Sequence, residues 1–410
     1  MTSRSNLVAR AVLEQFQKLP AKRKPLLRDN GLQEWVPLSG IVAERNGTLT
    51  CLALATGMKC LPASKIAESN GVGVHDWHAE ILAIRTFNRF LLEECRKLLG
   101  DGAESDILRK SRASTSGDGP KPFEIRDDVK LHMYCSEAPC GDASMELTMA
   151  AQEDASPWQT PTSVSSDTEI KNGMLPGRAY FDQLGIVRRK PARGDAPPTM
   201  SKSCSDKIAL KQCTSLLSSL TSIFIDPENA YIHSLILPES QYSATACRRA
   251  FSADGRMKPV VGRRWPGGYS FKPFVMETTD QEFEYSKITV QARSDKISAS
   301  NLAAAWSRSG FEETILGGVM QGRKPFIPKG ASRTSRRRMW ESASDLSNEL
   351  GKEHSSISVH LKSRTYQDIK SGPLLEERRR VKDDTREAAL TGWIKNDGGS
   401  DFGIYEHGNH

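Results

Sequence analysis

The stretch "HDWHAEIL" sets His78 two residues ahead of Glu80, where apolar residues begin to recur at helical spacing. Such a pair suits a metal centre that works on water. An imidazole can ligate the ion, and a carboxylate in the same helical turn can reach the water on the ion's open position and carry its proton. Catalytic zinc takes three nitrogen or sulfur ligands and leaves that fourth position free. The motif "APCGDA" supplies a thiol, Cys140, but Ala143 stands where a second thiol three residues on would be expected. Cys204 in "KSCSDK", 64 residues beyond Cys140 (204 − 140), is the substitute the sequence offers. Taken singly, each residue has a plainer use: His78 and Glu80 could cap a helix, and a lone cysteine commonly packs as a small apolar group. Cys135 and Cys213 are left to that core role. The ordered set carries the metal reading.

Regular elements must bring these residues together. From His78 to Leu99, Ile81, Leu82, Ile84, Phe87, Phe90 and Leu91 recur at helical intervals, which predicts a largely buried helix. Upstream, "WVPLSGIVAERNGTLTCLALATGMKC" reads as two antiparallel strands turning at Asn46-Gly47. "VKLHMYC" reads as a central strand that leaves through "SEAPCGDASMELTMAAQ" into a second helix, so Cys140 is expected at a helix N-terminus, where the backbone favours a thiolate. "SKSCSDKIALKQCTSLLSSLTSIFIDP" predicts another helix and strand, and "AYIHSLILP" another strand. Leu7, Ala11 and Phe16 are expected on one face of a first amphipathic helix. The fold class is α/β, a mixed sheet flanked by helices.

In this order "HAE", "PCGD" and "SCSDK" resemble the adenosine-to-inosine RNA deaminases, in which the glutamate moves protons and is not a ligand. The segment "VRRKPARGDAPPTMSKSCSDK" resembles more narrowly the branch that acts on tRNA beside the anticodon. The resemblance runs from about Gly40 to Phe402. It implies a cytidine-deaminase-like sheet with an extended helical C-terminal portion, and zinc held by His78, Cys140 and Cys204, with Glu80 as general acid and base. The implied reaction is hydrolytic deamination of adenosine at tRNA position 37, with alanine tRNA as substrate. It also implies a buried inositol hexakisphosphate held by Arg85, Lys207, Arg336, Lys362, Tyr366, Lys370, Trp393, Lys395 and Asp401, linked to the metal site through Asp76 and Lys207. Ile84 and Leu210 stand where relatives often carry arginine, and Met58 replaces a residue near the target nucleotide.

RNA contact is expected from Arg188, Arg189, Lys190 and Arg193, which lie close in sequence to Cys204. "GRRWPGGY" and "GRKPFIPKGASRTSRRR" also interleave basic residues with Trp265, Tyr269 and Phe326, a pattern suited to phosphate contact and base stacking. The net charge of +7 permits such a partner.

Hydrophobic residues make up 38% and charged residues 26% of the 410, a composition that excludes a fibrous or wholly disordered chain. There is no run of eighteen apolar residues, so no membrane span is expected. Eight cysteines at irregular spacing do not form a small-domain disulfide framework. Residues 101–125 and 153–176 are rich in Ser, Thr, Gly, Pro and charge and are expected to be flexible surface insertions in a single catalytic domain spanning 1–410. No obligate protein partner is evident, and the family resemblance places the protein in nucleus or cytoplasm. Two rival readings stand beside the tRNA deaminase: an editor of double-stranded RNA, and an inactive RNA-binding protein that keeps structural zinc.

Overall fold

A computed structural model describes residues 2–111, 121–151, 175–176, 183–190 and 196–405. Most of the segment expected as a second insertion, and residues 112–120 of the first, lie outside the described residues, as does Arg193. The chain opens with helix α1 (Arg4–Gln17), whose N-cap Ser3 accepts a hydrogen bond from Asn6 N. Its buried row is Val8, Ala9, Val12 and Phe16, spaced to meet the sheet, while Leu7 is 40% exposed. Phe16 and Ala9 thus define the apolar stripe, and Leu7 falls just off it.

Strands β1 (Leu38–Arg45), β2 (Thr48–Thr56), β3 (Val129–Cys135), β4 (Ile232–Pro238), β5 (Val275–Thr279), β6 (Ala303–Ser307), β7 (Glu312–Leu316) and β8 (Val319–Met320) build one eight-stranded sheet. Their order is β5-β4-β3-β1-β2-β6-β7-β8. The β5-β4-β3 flank is parallel and the rest antiparallel, so the sheet is mixed, as expected. The β1–β2 turn places Asn46 and Gly47 at positive φ (50° and 75°), the geometry that a two-residue hairpin of this twist requires.

One face is covered by α1 and the other by helix α2 (Ala79–Lys97), which presents Leu82, Ala83, Phe87, Phe90 and Leu91 to the core. Two short helices, α3 (Met145–Ala150) and α4 (Cys204–Thr214), follow, then α5 (Ala244–Phe251) and α6 (Lys287–Gln291). The C-terminal portion is helical: α7 (Arg336–Glu349), α8 (Ser355–Leu361), α9 (Tyr366–Ser371) and α10 (Glu376–Ala388). Helix α7 packs on α2, and α10 packs on α4, so this portion lies behind the two helices that open at His78 and Cys204. No described helix is long and apolar enough to cross a membrane. Cys135 and Cys213 are buried in the core, as read from the sequence.

Candidate metal centre and active site

His78 is the N-cap of α2, and its imidazole makes no capping bond and is left to point elsewhere. Its backbone N–H is instead capped by Asp76 Oδ1 at 3.0 Å. Strand β2 ends against this helix start because residue 57 is glycine: its φ is +137°, and a Cβ there would collide with the Trp77 carbonyl.

Cys204 is the first residue of α4, behind an N-cap Ser203 whose hydroxyl accepts from Asp206 N at 3.1 Å. Cys140 differs from the expectation. Its loop runs into a 3-10 turn (Asp142–Ser144), and α3 starts only at Met145, so the helix that follows does not present its N-terminus to this thiol; the N-terminus of α4 does, through the Cys204 N–H at 3.4 Å. Proximity to Cys204 replaces that effect. Gly141, at φ +105°, lets the loop lie directly on Ser203, and Ser205 Oγ donates toward the carbonyls of Pro139 (2.8 Å) and Cys140 (3.0 Å) while accepting from Ala143 N at 3.0 Å. The two cysteine-bearing segments are thereby held together.

The ligand atoms of His78, Cys140 and Cys204 all lie within 4.8 Å of one another. Cys140 Sγ is 3.8 Å from His78 Nδ1 and 3.4 Å from the Cys204 N–H. A hydrogen bond from Cys204, with Lys190 and His78 nearby, holds the Cys140 thiol pKa well below its usual value, while burial pushes that of Cys204 up. Burial and Lys190 act against a charged His78, yet Cys140 and Cys60 outweigh them and raise its pKa to about 10. This donor set suits a divalent ion such as zinc: the three side chains already neutralise one another as an imidazolium and a thiolate, charges that an ion would replace. Glu80, in the first turn of α2, is 6% exposed, and burial followed by Cys140 raises its pKa. It is a carboxyl poised to hold a proton beside the donors.

Behind the donors lies a buried ionic knot. Asp76 accepts from Lys190 Nζ at 3.1 and 2.9 Å, from Ser201 Oγ at 2.7 Å, and from Lys207 Nζ. Burial alone would raise the Asp76 pKa, but Lys190 and Lys207 hold it well below the usual range. Lys190 also donates to Cys204 Sγ at 3.2 Å.

Lys190 and Arg188 were expected to face RNA, and the structure corrects both. Lys190 N pairs with Ser201 O and Ser203 N with Arg188 O, so this stretch runs as a ribbon beside the 201–203 segment. Side chains alternate: Arg188 (1% exposed) and Lys190 (5%) turn inward and Arg189 stays partly exposed. That alternation was the signal for Lys190, and sequence distance to Cys204 was the wrong guide. Tyr269 is buried and offers no stacking face, while Trp265, partly exposed, has its Nε1 donating to Asp384 at 2.7 Å.

A second cluster lies behind the knot. Arg85 donates to Thr334 O (3.0 Å) and Arg336 to Gly399 O (2.7 Å), and burial depresses the pKa of both guanidinium groups, that of Arg85 to about 10. Lys370 donates to Ser400 Oγ at 3.0 Å. Burial, then Arg336 and Arg386, lower the Lys370 pKa to about 8, partly offset by Asp401. Burial with Arg336, Arg85 and Lys207 takes His75 down to about 2. Among the described residues few anions face these cations, a deficit that a bound polyanion would correct. Lys362 and Lys395 are not in the cluster: both are exposed, and Lys395 pairs with Asp383 at 3.0 Å. Asp401 is exposed at its edge.

Residues 53–397 match the family model described as the adenosine-deaminase (editase) domain. The chain is 39% identical over 324 residues to the tRNA-specific adenosine deaminase 1 of Schizosaccharomyces pombe, covering 78% of this chain and 79% of that protein. It is 30% identical over 352 residues to the protein of that name in Saccharomyces cerevisiae, covering 82% and 81%. A double-stranded RNA-specific editase, Adar of Drosophila melanogaster, is 26% identical over 274 residues, covering 62% of this chain and 37% of that protein.

Proposed function

Since the chain belongs to the adenosine-deaminase (editase) domain family, we propose that it converts adenosine to inosine in tRNA by hydrolysis, at position 37 beside the anticodon of alanine tRNA. The observation that carries the chemistry is the convergence of His78, Cys140 and Cys204 next to the buried carboxyl of Glu80. His78, Cys140 and Cys204 would hold zinc, which when bound supplies the Lewis acidity that makes water nucleophilic near neutral pH.

The remaining work falls to the chain. Glu80 takes one proton from the attacking water and delivers it to the adenine ring nitrogen, then takes the proton of the new hydroxyl on carbon 6 and passes it to the departing amine as the carbonyl forms, so that water and adenosine become inosine and ammonia. Its raised pKa suits both halves of that exchange. Asp76 orients the His78 backbone, and Lys190 ties Asp76 to Cys204, fixing the donors relative to one another. The target base must leave its stack to reach Glu80, which costs less in a single-stranded loop than in a duplex.

The polycationic cluster of Arg85, Lys207, Arg336, Tyr366, Lys370 and Trp393 supports the reading that inositol hexakisphosphate is bound there, reaching the metal site through Lys207 and Asp76. The family match across residues 53–397 supports one catalytic domain over the whole chain. For RNA, exposed Arg323, Lys324 and Lys329 are better placed than Lys190: Phe326, between them, packs against Gly73 in the loop that leads to His78. Arg189, which is partly exposed, stays a candidate for RNA contact, and so does Arg193 by its place in the sequence.

Identity favours tRNA over duplex RNA, because the chain is 39% and 30% identical to two tRNA-specific relatives and 26% identical to the duplex editor. An inactive zinc-holding protein would have no use for a carboxyl buried at Glu80. Incubating zinc-loaded protein with total tRNA and with duplex RNA, then locating inosine by sequencing, tests the assignment. Inosine next to the alanine anticodon is expected; inosine confined to the duplex would overturn it.

A further inference from the structure

We propose that Glu137 positions the target nucleotide by accepting a hydrogen bond from its ribose 2′-hydroxyl, and so makes the site selective for RNA over DNA. This rests on the adenosine deaminase reading above and deepens it. Glu137 lies three residues before Cys140 (140 − 137), in the loop that leads from β3 to this donor. It is half-buried, and among the described residues it makes one hydrogen bond, from the Lys287 N–H to its Oε1 at 2.9 Å. No described lysine or arginine forms an ion pair with it. The Lys287 ammonium lies instead over the Trp35 ring, 6.0 Å from its centre. Burial pushes the Glu137 pKa up to about 7 against the pull of Lys287, and Glu282 and Glu80 add to the rise. A carboxyl held this close to the reacting groups without a cation is a costly arrangement for the fold alone.

Its placement is fixed on both sides. Ser136 Oγ accepts from Leu38 N and Ser136 N donates to Leu38 O, each at 2.8 Å, while Ala138 N donates to Gln241 Oε1 at 3.3 Å. Between these anchors Glu137 turns toward α6 and the 282–285 segment, whose Phe283 meets Phe16 of α1 edge-on at 4.9 Å. Glu80, His78 and Cys204 stand at the starts of α2 and α4, which pack on the opposite face of the sheet.

An adenine whose carbon 6 is at the donors therefore directs its sugar toward Glu137. An ionised carboxylate only accepts hydrogen bonds. Within an RNA strand adenosine offers two donors, the 6-amino group and the 2′-hydroxyl, because the 3′ and 5′ oxygens are esterified. The amine sits on the reacting carbon, where Glu80 acts, so the hydroxyl is the donor left for Glu137. Met58, packed on the α1 side, brings only a thioether, a weak acceptor. The 2′-hydroxyl is also the group by which a protein tells RNA from DNA at one nucleotide.

The test compares single-turnover deamination of two alanine tRNAs, joined from synthetic halves, that differ only in ribose or 2′-deoxyribose at the target adenosine. Wild type is expected to convert the ribose form at least about tenfold faster, the loss expected for one hydrogen bond to a charged group. Glu137→Ala, with zinc content unchanged, is expected to bring the ratio near one by slowing the ribose form alone. Glu137→Gln keeps the size of the side chain and an acceptor for Lys287, so it is expected to fold as wild type does and to give a ratio between the two. Glu282→Gln removes a neighbouring exposed charge and is expected to keep the wild-type ratio. Equal rates on the two tRNAs in wild type, or the wild-type ratio in both Glu137 variants, overturns this proposal and leaves the deaminase reading standing. No inosine in either tRNA with zinc-loaded wild type overturns both.

Discussion

Glu80 and Lys190 are two buried ionisable side chains with different tasks. Glu80→Gln keeps the shape of α2 but cannot exchange a proton, so inosine formation should fall by at least about a thousandfold, within what a general acid–base group contributes. Zinc content should stay the same, and single-turnover assays on tRNA with metal analysis of the same sample would check both. Lys190→Met leaves Asp76 with Lys207 and strips Cys204 of its donor. Breaking such a buried pair costs about 3–5 kcal/mol, which urea denaturation would read as a lower midpoint together with weaker zinc retention. Metal binding should also release protons. With the His78 pKa raised to about 10 and that of Cys204 pushed up, both are protonated at neutral pH in the metal-free chain, while Cys140 is already a thiolate. About two protons per zinc are therefore expected, and titration calorimetry in buffers of different ionisation enthalpy would count them. The sign follows from the raised pKa values: zinc affinity rises with pH across the neutral range.

At the level of elements, close backbone approaches set the distances. Gly141 shows this most directly, since a Cβ there meets Ser203 and the residue sits at positive φ. Gly141→Ala should cost about 1–3 kcal/mol of strain and part the Cys140 and Cys204 segments. Loss of zinc at a temperature where wild type keeps it, followed by metal analysis after heating, would reveal that parting. The same elements show what could be read in advance. The 3.6-residue repeat from His78 marked α2 to within about a turn, and Asn46-Gly47 marked the β1–β2 hairpin, because both signals are local. Cys140 was misplaced onto a helix start because "PCGDAS" carries the same residues as a helix cap but folds first into a 3-10 turn. Lys190 was read as outward-facing because its partners, Asp76 and Cys204, come from segments remote in the chain. Pairing across such distances leaves no local signature. Lys395 misled in the opposite direction: its motif position matched, yet Asp383 one helix away holds it at the surface.

Across the whole molecule, the C-terminal segment ties the cationic cluster to the metal site. Phe402 stacks on Tyr366 with centroids 5.4 Å apart, meets Trp340 at 5.9 Å and lies against Gly71, while Gly399 lies beside His75. The loop carrying His75 and Asp76 is therefore clamped from behind. Phe402→Ala should destabilise the fold by about 3–5 kcal/mol and speed the release of zinc to a chelator, because the clamp and the donors share that loop. The most direct test of the central claim is zinc X-ray absorption on the purified, RNA-free protein. One zinc per chain is expected, with two sulfur neighbours near ~2.3 Å and nitrogen or oxygen neighbours near ~2.0 Å, and with one sulfur lost in Cys204→Ser. A shell with four sulfurs, one without sulfur, or an unchanged sulfur count in that variant would contradict the convergence of His78, Cys140 and Cys204 on one ion.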